Sequence, residues 1–110
     1  MASVPFDPDR AYHDMVRAGE EWADAEAAAQ ALEETRKSVL AKLMSERAEA
    51  ALGAKEMQAL AHEDYRRHVD AMVAARKIAN IKRVRYDCRK VLAEMRRTQE
   101  STRRAEALIR

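Results

Sequence analysis

Glycine, proline and aromatic side chains are scarce here: two glycines, two prolines and five aromatics in 110 residues. A turn-rich sandwich or barrel needs many of the first two, and a dinucleotide-binding unit needs a glycine-rich loop. All three architectures are therefore disfavoured. No run approaches 18 consecutive apolar residues, so no membrane-spanning helix is expected. Residues 1–9 lack the basic start and apolar core of a secretory leader. Cysteine occurs once, as Cys88, which excludes an internal disulfide, and a cytoplasmic location is the expectation. The residues that do abound are Ala, Glu, Arg and Lys, with 47% hydrophobic and 36% charged overall. That mixture belongs to long helices or coiled coil, at a length typical of one domain.

Net charge is only +2, but it is segregated. Residues 1–34 carry nine acids against two bases, residues 35–75 six against seven, and residues 76–110 four against twelve. The local field, not the total, meets a partner. The basic end is suited to an anionic ligand, or to answering the acidic end within a hairpin.

Asp7-Pro8-Asp9 reads as a helix start, with Asp7 as N-cap, Pro8 at the first helical position, and Asp9 and Asp14 near the positive end of the dipole. A first helix is expected over about residues 8–51. Gly19 within it costs roughly 1 kcal/mol relative to alanine and is the expected place for a bend. Its seam runs through Trp22, Ala25, Ala29, Leu32, Val39, Leu43 and Ala50, with Arg36 and Glu46 occupying two slots. Gly53 and His62-Glu63-Asp64 mark a connection over about residues 52–63, with a short helix around residues 55–60. A second helix is expected over about residues 64–109. Its apolar positions are Tyr65, Val69, Met72 and Ala79, then in a shifted phase Ile81, Val84, Cys88, Val91, Met95, Ala105 and Ile109, with Thr98 and Thr102 filling two slots.

The expectation is therefore a single all-α domain over residues 1–110: a long antiparallel helical hairpin with coiled-coil packing, each helix roughly 60 Å long. Leu40, Met44, Met57, Ile78, Leu92 and Leu108 fall off these seams and need further partners, most simply other copies of the chain. A homo-oligomer that packs through the apolar seams is expected, with a monomeric hairpin as the alternative.

Catalytic and metal-binding patterns are missing. His62-Glu63 and His68 superficially resemble a zinc-protease motif, in which the two histidines stand four apart on one helix face. Six apart, they diverge by about 240° around a helix. His13 is remote, and no cysteine pair supplies other ligands. These histidines read as solvated or capping groups. Cys88 lies on the apolar seam without a histidine base nearby, and Glu20-Glu21 and Glu33-Glu34 are surface carboxylates. No enzyme, metal or cofactor is expected.

The sharpest pattern is a ladder of basic pairs, seven apart: Lys82-Arg83, Arg89-Lys90, Arg96-Arg97 and Arg103-Arg104, extended by Arg110. With Ile81, Cys88, Met95, Thr102 and Ile109 at heptad position a, every pair falls at b and c, away from the expected seam. Tyr86, at f, is framed by Lys82, Arg83, Arg89 and Lys90. Regular cations with an aromatic among them suit a nucleic-acid backbone bound irrespective of sequence, with single strands preferred if Tyr86 stacks on a base. The ladder is equally the solvated face of a coiled coil, or a surface for an acidic protein partner. Glu26 and Glu33 are placed to pair across the hairpin.

Further features come as a layout. Trp22 heads an acidic-then-basic stretch that continues as Arg36-Lys37-Ser38-Val39-Leu40-Ala41-Lys42-Leu43. A short connection precedes Tyr65, and the second helix carries Tyr86, Cys88 and Leu92 before a basic end. Over roughly residues 20–105 this layout resembles the phage recombination mediators of the UvsY type, although this chain is shorter and its linker barer. The resemblance implies a helical oligomer that binds single-stranded DNA and assists a recombinase in the presence of single-strand-binding protein, in the bacterial host cytoplasm if phage-encoded. The residues it would assign are the basic ones already picked from the ladder. The alternatives are a helical protein–protein adaptor or inhibitor, or a phage structural or scaffold component, without nucleic-acid binding.

Overall fold

The computed structural model describes residues 7–47 and 51–109; Ala50, at the end of the first seam, and Arg110, at the end of the ladder, lie outside them. The described residues form three helices and no strand: α1 (Pro8–Ser45), α2 (Leu52–Ala61) and α3 (Glu63–Ile109). Together α1 and α3 make the expected antiparallel hairpin. None of these helices is long and apolar enough to cross a membrane.

The helix ends follow from local chemistry. Asp7 Oδ1 accepts the backbone N–H groups of Asp9 at 3.0 Å and Arg10 at 3.3 Å, while Pro8 has no N–H to satisfy. The first helix then runs uninterrupted through Gly19 and stops at Ser45, earlier than the expected residue 51. There Ser45 Oγ donates to the Lys42 carbonyl at 2.7 Å, and the Arg47 N–H reaches back three residues to Met44. Such side-chain competition and tightening are usual ways to end a helix. Ala51 precedes α2 with no side-chain cap. His62 serves two helices: its N–H closes α2 on the Ala59 carbonyl, and its Nδ1 accepts the Asp64 N–H at 3.0 Å to cap α3. Asp64 Oδ2 stands 3.8 Å from the same Nδ1. Glu63 and Asp64 favour the positive end of α3.

Packing divides into two units. The middle unit spans Ala23–Asn80. Its core is Leu43 with the fully buried Ala29, Ala59 and Ala79 on three different helices, small side chains that permit close backbone approach. Leu32 and Val39 are half-buried on the expected α1 seam. Polar contacts fix the register: His68 Nε2 donates to the Leu32 carbonyl at 2.7 Å, and Arg76 reaches across to α1. The end unit takes the chain up to Trp22 together with the chain from Ile81. Here Ala18 is buried and Trp22 stacks on Tyr86, with ring centroids 5.6 Å apart and planes at 28°. Gly19 makes room for that ring rather than marking a break: a Cβ on it would stand 3.3 Å from Tyr86 Cε2.

Of the two roles open to the α3 seam, packing on α1 or packing between copies, the first does not fall to the expected residues. In the end unit the α3 seam toward α1 does not consist of Ile81, Val84, Cys88, Val91 and Met95. Val84 and Met95 are 55% exposed and Val91 53%, with Ile81 and Cys88 also exposed. The half-buried residues are instead Lys82, Tyr86, Ala93 and Glu100, the last three spaced seven apart. Met95 stands nine residues from Tyr86, half a turn round a helix of 3.6 residues per turn, so the apolar stripe points away from α1. Two features turn α3 this way. The Trp22–Tyr86 stack fits the notch at Gly19, and α1 acids draw in one row of α3 bases.

Candidate nucleic-acid interface

The basic ladder lies on α3 in the end unit, and its rows have different surroundings. The b row faces α1. Lys82 Nζ donates to Glu21 at 3.2 Å, and Arg89 stands 3.7 Å from Asp14. Both spacings are seven residues, so the acidic row of one helix meets the basic row of the other in antiparallel order. Arg103 turns along its own helix to Glu100 at 3.3 Å, and Arg96 is engaged in an interaction of its own. The bland reading of the ladder, as balance for an acidic first helix, thus accounts for Lys82 and Arg89. The expectation that b positions point away from α1 does not hold, because the hairpin seam runs through f.

Tyr86 is placed with them. Its ring is half-buried, stacked on Trp22 and lying against Gly19, so its stacking face is already occupied. A base would have to displace the indole, which costs the aromatic pair.

The c row differs. Arg83, Lys90, Arg97 and Arg104 are all exposed, with no ion-pair partner among the described residues. Asp87 and Glu94 follow Arg83 and Lys90 by four residues and dilute the field, yet form no ion pair with them. Successive members rise by roughly 10.5 Å along the helix. That is about three phosphates of one stacked strand at 3.4 Å each. Arg85 adds another exposed cation outside the ladder.

A polar site that the sequence reading only half anticipated lies in the middle unit. Glu26 and Glu33 do pair across the hairpin, and both use Arg76. Its Nε and Nη2 donate to the two Glu33 oxygens at 2.7 and 3.0 Å, and its Nη1 to Glu26 at 2.6 Å. The donated hydrogen bonds hold the Glu33 carboxyl below the ordinary carboxylate range, and the paired acids push the guanidinium further up. The legible signal was two acids seven apart on one face, opposite a basic residue at matching depth in an antiparallel pair. This arrangement is a clamp. Among the described residues, no group of three or more His, Cys, Asp or Glu is placed to hold a metal ion.

Against known proteins, the chain matches no family model, no curated protein and no solved structure.

Proposed function

We propose that this chain is a non-enzymatic accessory protein of DNA recombination or replication that holds single-stranded DNA by its phosphates along α3. The observation that carries the reading is the c row: four exposed cations in regular register, with no acid paired to them among the described residues. Cations in such a row displace counterions from any phosphate backbone, so binding is sequence-independent and salt-sensitive. The choice of a single strand, and of a recombinase or single-strand-binding protein as further partner, follows from the resemblance to UvsY-type mediators. With Trp22 stacked on Tyr86, the reading rests on electrostatics and not on base stacking.

Anisotropy of a labelled oligonucleotide across a salt series tests this. Replacing both Arg97 and Arg104 with Ala should flatten the log–log salt slope by roughly one to two units, whatever the sequence. Unchanged binding by that variant removes the c row from the interface. A second reading, a helical adaptor or structural component, is favoured by the apolar stripe of Val84, Val91 and Met95, which suits protein and not phosphate. No oligonucleotide binding at low salt would put it first.

A further inference from the structure

The stripe left exposed on α3 is a complete coiled-coil seam without its second helix. Val84, Cys88, Val91, Met95, Thr98, Thr102, Ala105 and Ile109 alternate at steps of four and three with no charge among them, and all are exposed. Ile109 is 86% exposed and Leu92, beside the stripe, 48%. A helix bound only to α1 needs no such second repeat, and solvent-facing positions are normally polar.

We propose that this stripe pairs with the same stripe of a second copy, antiparallel, about a two-fold axis between Met95 and Thr98. The choice of occupant and direction rests on complementarity within the sequence. In this register Val84 meets the partner's Ile109, Cys88 the partner's Ala105, Val91 the partner's Thr102, and Met95 the partner's Thr98. Three of these four layers set a larger side chain against a smaller one. The flanking e positions hold two charges, Arg85 and Glu106, and the register places each opposite the other, twice by symmetry. The g positions bring Asp87 to the partner's Leu108 and Glu94 to the partner's Ser101, so no like charges face each other. Parallel in-register pairing makes no e–g ion pair, and it stacks Thr98, Thr102 and Ala105 on themselves. The pairing is independent of whether the c row binds DNA.

The test uses the full chain in sedimentation at tens of micromolar. The parent should run at twice 12.5 kDa. Val91→Asp should run as a monomer with its helix content kept, because the stripe is not packed on α1. Arg85→Glu should weaken the dimer at least tenfold, and Arg85→Glu with Glu106→Arg should restore it. Direction is read from native Cys88. Ala105→Cys should cross-link to a dimer on mild oxidation, while the parent, with Cys88 facing alanine, should not. A monomeric parent overturns the proposal and leaves the stripe to a different protein. A parent that cross-links through Cys88 overturns the antiparallel register, and a dimer indifferent to Val91→Asp overturns the face.

Discussion

The middle and end units share α1 and α3 but are held together by different means. In the middle unit, Arg76 makes three charge-assisted hydrogen bonds to Glu26 and Glu33, His68 holds a backbone carbonyl of α1, and α2 contributes a buried alanine. Across the hairpin, the described residues of the end unit show one aromatic stack and two single-contact ion pairs, with one buried alanine beside them. It also carries the free basic row and the unpartnered apolar stripe. In the middle unit, specific polar contacts across the hairpin set the register. Where register rests on one stack, the remaining faces of α3 are left for other molecules.

Removing that stack is the sharpest way to break the comparison. Tyr86→Ala should destabilise the chain by about 2–3 kcal/mol, from lost ring burial together with the aromatic pair. Urea unfolding followed by circular dichroism measures it, and Trp22 fluorescence separates the end unit from the whole. If Tyr86 instead served nucleic acid, DNA affinity would fall with no change in the urea midpoint.

The middle unit yields a pH test. Because folding holds Glu33 ionised below the ordinary 4.5, its contribution to stability is complete above pH 4.5 and is lost as pH falls through the lower folded value. Glu33→Gln should therefore melt below the parent at pH 7, and the gap should close on acidification below pH 4.5. A gap that stays constant down to pH 3 would mean that the carboxylate's charge contributes nothing.

The sequence made the hairpin and the α1 face legible. Only one strong period runs through α1, and its residues Trp22, Leu32, Val39 and Leu43 are half-buried or buried, while Asp7-Pro8 announces the start. Two things hid the rest. In its C-terminal half α3 carries two seven-residue patterns, and the more apolar one, from Ile81 onward, is not the one that packs on α1. The residues half-buried there, Tyr86, Ala93 and Glu100 among them, include an alanine and an acid and look like surface. The end of α1 at Ser45 has no glycine or proline to mark it, and Ala51 has no capping side chain. For the candidate site, the ladder was visible but its division into an α1-facing row and a solvent-facing row depends on that rotation of α3.

A smaller effect tests the notch. Alanine at Gly19 should stabilise a helix by up to about 1 kcal/mol, but its Cβ would press on the Tyr86 ring. The gain should appear in full only in a Tyr86→Ala background and be smaller in the parent. Equal gains in both backgrounds, within about 0.3 kcal/mol, would show that the ring and residue 19 do not interact.

The smallest stability effect divides the ladder itself. Lys82 and Arg89 face α1 acids through partly exposed pairs, which are worth at most about 0.5 kcal/mol each. Lys82→Gln and Arg89→Gln should lower stability by that little. Freeing Glu21 and Asp14 from their cations adds negative field beside the row, so any loss of oligonucleotide affinity should come through general repulsion. Arg97→Gln and Lys90→Gln should do the reverse, leaving the urea midpoint unchanged while reducing the salt slope by roughly 0.7 for each phosphate that a single strand no longer has neutralised. The two rows are therefore told apart by which quantity moves, stability or slope. If all four variants change the slope equally, α3 presents one basic surface and the ion pairs to α1 are too weak to withhold any of it.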